Sequence, residues 1–369
     1  SLNSSARQTG SFLSQDISFC MRFKYTIFLL IFSQCQLCSQ GSNPAERYST
    51  AYREYLDAGC PIAPDNMRHF VYFARDRKAI REHAFLKQPR IEGAQVMYAW
   101  RQLEPAKGRY DFSIVHEDLN YLQSKGKKLF IQLQDATFDP KYRAVPDDLL
   151  TDAYDGGAIY QYNDAGAPEG WVAKRWNPAV RARFADFLMA LGQDLDGEIE
   201  GINLQESAIG VSSEHDASFT PSAYVKGLKE NMQSLKHAFP RSTTMQYANF
   251  MAGEWLPRDD KGYLKAIYEH GQDIGVGLGA PDLMIRRKGQ LNHALAMMHE
   301  HAYTVPLGIA VQDGNYIGQT GSIQVLRNRK NLVPMLHAFA KDFLKVDYMF
   351  WAHQEPYFTE DVLPCLEAR

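Results

Sequence analysis

Eight short apolar runs alternate with amphipathic stretches of helical length along this 369-residue chain, and no other feature restricts its fold as strongly. The runs are 69–75, 94–100, 128–134, 199–205, 243–249, 274–279, 305–311 and 346–351. Each is rich in β-branched or aromatic residues and ends in polar ones, as buried strands do. Between them, 112–125, 178–192, 221–238, 262–270, 290–301 and 327–344 mostly place apolar residues three and four apart, the stripe of a helix lying on a sheet. Alternation of this kind requires a parallel sheet with crossover helices. Eight units match the count of an α/β (β/α)₈ TIM barrel. No linker, low-complexity tract or short repeat interrupts the body, so it reads as a single domain with extended βα loops.

The front of the chain reads differently. Met21-Arg22-Phe23-Lys24, the apolar run 25–32, and small residues Ser39 and Gly41 form the charge, apolar and cleavage-site order of a secretory signal. The expected division is an upstream segment 1–20, a signal peptide 21–40 and a barrel 41–369, in a protein secreted or released to the periplasm. Cys35 and Cys38 lack the preceding small residues of a lipidation site. The apolar run is far shorter than the roughly 20 residues of a membrane span, so no stable membrane insertion is expected. Removing the signal leaves Cys60 and Cys365 near the two ends. An exported compartment permits a disulfide, and a closed barrel makes its first and last strands neighbours; the alternative is two unrelated thiols. With 40 Lys+Arg against 43 Asp+Glu, net charge −3, the chain lacks the basic excess of a nucleic-acid binder.

Other chemistries lack their signatures. The first βα junction, 74–80, is charged and has no glycine, so no dinucleotide turn is expected; Gly275, Gly277 and Gly279 read as close packing in a late strand. There is no His-Glu-x-x-His, most histidines fall in helical stretches, and His299-Glu300-His301 precedes the seventh strand at the wrong end of the barrel. No Gly-x-Ser-x-Gly elbow is present. Neither a cofactor nor a metal is expected.

A barrel carries its chemistry at the C-terminal ends of its strands. Those ends supply Arg75 and Asp76; Tyr98, Trp100 and Arg101; Gln132, Gln134 and Asp135; Asn203, Gln205 and Glu206; Tyr247 and Asn249; Asp282; Gln312, Asp313 and Asn315; and Trp351, His353 and Glu355. Acids, amides and flat rings on one face suit a carbohydrate substrate, whose hydroxyls need donors and acceptors and whose ring faces stack on aromatics.

The segment Tyr98-Ala-Trp100-Arg-Gln-Leu-Glu104-Pro105-Ala-Lys-Gly108-Arg-Tyr110-Asp111-Phe112 resembles the second-strand stretch of clan A glycoside hydrolases. Trp176-Asn-Pro178 before a helix, and Gly201-Ile-Asn203-Leu-Gln205-Glu206-Ser at the fourth strand, lie where that clan has corresponding pieces. The resemblance implies a hydrolase acting on a β-linked glycan or glycoside, with retention of anomeric configuration. It makes the strand-four carboxylate, Glu206, the general acid/base, with Gln205 standing where the clan has Asn. The clan's nucleophile is a Glu at the end of strand seven, and this chain has Asp313 there; Glu355, beyond strand eight, competes for the role. Carboxyl groups about 5–5.5 Å apart imply retention and about 6.5–9.5 Å inversion, so the choice decides the stereochemistry. A barrel that binds sugar without cleaving it, and an inverting enzyme using Glu206 and Glu355, are the alternatives.

By residue type, Trp100 and Trp351 can form stacking floors, and Arg75, Gln134, Asn203 and Asn249 can bind hydroxyls. Tyr247 can hold the nucleophile and His353 can orient a carboxylate, while Tyr98, Gln132, Asp135, Gln205 and Gln312 complete the candidate binding face. Packing is the alternative for Tyr98 and Trp100. Glu104 and Asp111 are expected to cap or brace the following helix. The long loop 135–176, with Tyr142, Tyr154, Tyr160, Tyr162 and Trp171, reads as a lid or subsite wall, and the loop 208–220 as a border of the cleft.

Overall fold

A computed structural model describes residues 43–312, 314–316 and 329–367. The expected signal segment and Asp313 lie outside the described residues. Eight parallel strands close into a barrel: β1 (Arg68–Tyr72), β2 (Ile91–Ala99), β3 (Lys128–Gln134), β6 (Gly201–Leu204), β7 (Thr243–Tyr247), β8 (Gly277–Ala280), β9 (Leu307–Val311) and β10 (Tyr348–Ala352), with β1 pairing β10 to complete the ring. All eight expected strands are present. The remaining pair, β4 (Ala158–Tyr162) and β5 (Pro168–Ala173), forms an antiparallel hairpin within the long loop after β3.

Crossover helices follow the apolar stripes. They include α2 (Ser113–Ser124), α3 (Pro178–Leu195), α4 (Pro221–Ala238) and α5 (Tyr263–Ile274), after the one-turn α1 (Trp100–Leu103). The expected helix 290–301 is split into α6 (Lys288–Asn292) and α7 (Ala294–Glu300) at His293. The last long stripe is α8 (Leu332–Ala338), continuing as a π-helical stretch, Phe339–Leu344. A one-turn α9 (Leu363–Leu366) ends the described fold. After β1 there are two 3₁₀ turns instead of a helix, Arg77–Ile80 and Ala84–Lys87.

Starts are chemically marked. Asn177 Oδ1 accepts from the N–H groups of Ala179 and Val180 at 2.8 and 3.2 Å, with Pro178 in the first turn, and Thr220 Oγ1 accepts from Ala223 N at 3.1 Å ahead of Pro221. These are N-caps with proline in a position that lacks a partner anyway.

The barrel interior is filled. Phe70, Phe130 and Phe350 meet with ring centroids 5.0–5.9 Å apart. A Cβ at Gly279 would lie 2.8 Å from Met245 Sδ and the Tyr247 ring, and one at Gly308 would lie 2.8 Å from Met245. Glycine on β8 and β9 thus makes room for two large inward side chains on β7, in accord with the close-packing expectation. Gly275 differs: it caps α5 at φ 76°, where other residues are strained.

The W-x-x-x-E-P-x-x-G stretch is a brace. Trp100 Nε1 donates to Glu104 at 2.7 Å, Gly108 N donates to it at 2.8 Å, and Arg183 on α3 donates at 2.9 Å. Asp111 accepts from Ser113 N at 3.0 Å at the start of α2. Both acids act as expected from the sequence.

Cys60 and Cys365 form a disulfide with Cα atoms 4.8 Å apart across 305 residues of sequence. Closing so long a loop removes much freedom from the unfolded chain. Cys60→Ser is therefore expected to lower stability by about 2–5 kcal/mol, read as a shift in denaturation midpoint that wild type reproduces when reduced. No shift in either case would show that the bridge is absent or idle.

Candidate active site

Glu206 follows β6 by two residues, at the C-terminal mouth of the barrel, and is half-buried. Asn249, two residues beyond β7, donates from Nδ2 to Glu206 Oε2 at 2.6 Å. The orientation of that amide is fixed, because its Oδ1 accepts from Ala208 N and Phe250 N, both at 3.1 Å. Burial, and next the Asp282 carboxylate, push the Glu206 carboxyl up to about 7, against the pull of the Asn249 hydrogen bond and the Arg175 charge, with Glu169 adding repulsion. A carboxyl group poised near neutrality can hold a proton and release it to a leaving group.

The backbone beneath Glu206 is held from behind. Arg175, just past β5, donates to both oxygens of Asp135 at 2.6 and 2.8 Å, and from Nη1 to the Glu206 carbonyl at 2.8 Å and the Tyr224 hydroxyl at 2.9 Å. Tyr224 on α4 donates in turn to Ser207 O at 2.8 Å. Arg175 and Asp135 are both buried, so the bidentate pair is short and little screened.

Asp282 lies two residues past β8, half-buried, and accepts from Asn315 Nδ2 at 3.1 Å. Burial raises its pKa, while the Asn315 hydrogen bond and the Arg287 charge oppose the rise. Asn315 is held in turn, its Oδ1 accepting from Gln312 N at 2.9 Å. Thus two carboxylates that repel each other share the mouth.

The other expected residues divide by the face of the strand from which they project. Asn249 meets Glu206 at the mouth, whereas Asp135 and Gln205 project toward the helix layer, where they line a small buried cavity with Phe184 of α3 and Leu228 and Asn231 of α4; the side-chain oxygens of buried Gln134 and Gln205 have no partner in the protein. Arg75 is exposed at the rim, its guanidinium 4.0 Å from the Tyr142 ring centre. Gln312 is half-buried beside Asn315, and His353 packs on Phe73 with centroids 4.7 Å apart.

Gln132, Asn203 and Tyr247 are enclosed within the barrel; Gln95 bridges Asn203 and the Tyr247 hydroxyl at 2.9 and 3.0 Å. They support the floor from inside the barrel. Tyr98, Trp100 and Trp351 correct the sequence expectation more sharply, because all three are fully buried away from the mouth. Tyr98 donates to Asp118 on α2 at 2.7 Å, Trp100 packs on Phe184 and Phe187 of α3, and Trp351 donates to His69 Nδ1 at 3.1 Å. None is a sugar platform. Glu355 is exposed and accepts from Thr359 N and Oγ1 at 3.2 and 2.5 Å, capping the turn that follows, and it is not among the principal charges acting on Glu206.

Sequence reasoning gave no role to Arg175, Tyr224 or Glu169. Asp282 and Asn315 appeared only as strand-end residues; their mutual hydrogen bond across 33 positions has no local signal.

Among the described residues one cluster has the composition of a metal site: Asp65, His69 and His337, with candidate ligand atoms within 4.8 Å of one another. His69 opens β1, at the opposite end of the barrel from Glu206. Its Nδ1 accepts the Trp351 N–H, so the neutral ring carries its proton on Nε2, the atom a cation would need. His337 Nε2 already lies 2.9 Å from Asp65. Within the cluster His337 and Asp65 are paired, while His69 Nε2 is buried and makes no hydrogen bond.

No family model matches the chain, and no curated protein matches it in sequence. Its fold is shared with solved glycoside hydrolase structures. The catalytic domain of β-amylase from Paenibacillus polymyxa is similar at TM-score 0.54 and 9% identity, over 79% of this chain and 93% of that one. Endo-glycoceramidase II from Rhodococcus sp. gives 0.50 and 11% over 80% and 76%, and GH5_18 from Streptomyces cattleya, in complex with GlcNAc, gives 0.50 and 12% over 77% and 70%. At such identities the likeness is one of fold.

Proposed function

We propose that the chain is an exported glycoside hydrolase acting on a β-linked glycan or glycoside, with Glu206 as its general acid. The observation that carries this reading is the Glu206 carboxyl itself: half-buried at the end of the fourth barrel strand, oriented by Asn249, and raised to about 7. A glycosidic oxygen is a poor leaving group until protonated, and such an acid supplies the proton as the bond breaks. The Cys60–Cys365 disulfide favours export, since such bonds persist in oxidising compartments. Among the described residues, no helix is long and apolar enough to cross a membrane.

The second carboxylate is Asp282 or Asp313, at the ends of the sixth and seventh barrel strands. Among the described residues Asp282 is the stronger candidate, being the carboxylate whose charge acts most on Glu206 and having a fixed hydrogen-bond partner. Glu355, committed to Thr359, is the weakest of the three.

Kinetics on aryl β-glycosides test this choice. Asp282→Asn is expected to lower kcat/KM about 10³-fold or more, equivalent to about 4 kcal/mol of transition-state stabilisation, whereas Glu355→Gln stays within about tenfold. An equal loss in Asp313→Asn with Asp282→Asn unaffected would move the role to strand seven. The anomer released first, read by NMR, separates retention from inversion. A wild-type chain that binds glycans but cleaves none of these glycosides would favour the non-cleaving barrel.

A further inference from the structure

Beside Glu206 the β4–β5 hairpin faces the loops that follow β6 and β7, enclosing a cleft of about 450 Å³. Ala208, Ile209 and Gly210, next in sequence after Glu206 and Ser207, form one wall, and the segment from Phe250 to Trp255, next after Asn249, forms another. The loops that carry Glu206 and Asn249 thus run on directly into two walls of the cleft. Glu169 on the hairpin belongs to its lining and is close enough for its charge to act on Glu206.

Two properties of the lining identify an occupant. Among the described residues only three large hydrophobic side chains are exposed, and two of them, Trp255 at 57% and Phe138 at 51%, line this cleft. Trp255 is not loose: Phe250 stacks on it at 5.7 Å and 5°, and His293 packs 4.7 Å away. Its backbone is anchored by reciprocal hydrogen bonds with Asp259 at 2.9 Å. A rigid ring with one side packed and much of its area in water is a preformed stacking surface. The second property is charge. The lining contains Asp164, Glu169 and Glu254 and, among the described residues, no Lys or Arg. Glu254 is occupied in capping α5, accepting from the N–H groups of Lys261, Tyr263 and Leu264, which leaves Asp164 and Glu169 to give the cleft its negative potential.

We infer that this cleft is a subsite for an uncharged pyranose residue next to the one cleaved, stacked on Trp255 with Phe138 opposite, and that it excludes acidic sugars. The inference rests on the glycoside hydrolase reading and narrows it to neutral glycans of more than one residue. Stacking needs only the apolar C–H face of a pyranose, whereas a uronate would bring a third negative charge into a space that already holds two without a cation to answer it.

Binding of four neutral β-linked tetrasaccharides, of glucose, xylose, mannose and N-acetylglucosamine, and of a β-linked mannuronate tetrasaccharide, measured calorimetrically on the full chain carrying Glu206→Gln to stop turnover, tests this. At least one neutral tetrasaccharide is expected to bind, with affinity falling at least about tenfold on adding Trp255→Ala, less on adding Phe138→Ala, and largely kept with Trp255→Phe. The mannuronate should bind at least about tenfold more weakly than that neutral ligand. Because Trp255 and Phe138 are exposed, the variants are expected to fold. Neutral binding indifferent to Trp255→Ala, no binding by any neutral tetrasaccharide, or mannuronate bound equally well would each overturn the inference. Trp255-dependent binding in a chain whose wild type hydrolyses none of the four would leave the subsite standing and overturn the hydrolase reading; hydrolysis with Trp255-independent binding would do the reverse.

Discussion

Replacing Glu206 by Gln is expected to lower kcat/KM on unactivated β-glycosides by roughly 10²–10⁴-fold, about 2.7–5.4 kcal/mol of transition-state stabilisation. The loss should shrink with a leaving group that departs without a proton, such as a dinitrophenolate, because that substrate does not need the acid. In wild type, kcat/KM should fall as pH rises through about 7, where Glu206 loses its proton, and the Gln variant should lack that limb. Stability carries a linked signature. The folded-state pKa of Glu206 is raised above its ordinary value of 4.5, so the native chain binds a proton more tightly than the unfolded one. Wild-type stability from this group therefore declines as pH rises from about 4.5 to 7 and stays low above that. Glu206→Gln removes the term while keeping an oxygen for Asn249 to bond. Relative to wild type, the variant should gain more thermal stability at pH 8 than at pH 4. A pH profile and a melting difference that do not change with this substitution would exclude Glu206 as the acid.

The largest effect on stability is expected from Arg175→Ala, about 3–5 kcal/mol by denaturant unfolding, because it strands the buried Asp135 charge. The same change removes the donor to the Glu206 carbonyl and to Tyr224, so activity should fall as well. The two consequences can be separated. In Asp135→Leu/Arg175→Met the buried charges are gone together, and stability should recover most of the loss, since well-packed apolar replacements of buried pairs are often nearly neutral. Activity should not recover, because the donor to the Glu206 carbonyl is still missing. A loss below about 1 kcal/mol in Arg175→Ala would show that water reaches the pair, and full activity in the double variant would show that Arg175 does not position Glu206.

Much of this is legible in the amino-acid sequence alone. The eight strands, their order and most of the helices follow from local periodicity. The position of Glu206 at a strand end is equally local, since a polar residue closing an apolar run marks where the chain leaves the core. The Cys60–Cys365 pairing was also accessible, because a closed barrel makes the ends of its chain neighbours.

The face from which each strand-end side chain projects was not accessible in this way. Along a strand successive side chains alternate, so a displacement of one residue exchanges cleft for helix layer. Trp351 and Tyr98 fall on the helix side by that parity, and Trp100 turns back onto α3, although all three have the residue type of a sugar platform. The aromatic platform arises at Trp255 and Phe138 instead, in loops where periodicity is silent. The identity of the second carboxylate, the support of Glu206 by Arg175 and the negative cleft depend on residues that are dozens of positions apart. The sequence by itself determined the barrel and the carboxyl group that closes its fourth strand, because both are written in neighbouring residues; only the tertiary structure decided what surrounds that carboxyl, because those contacts exist through space alone.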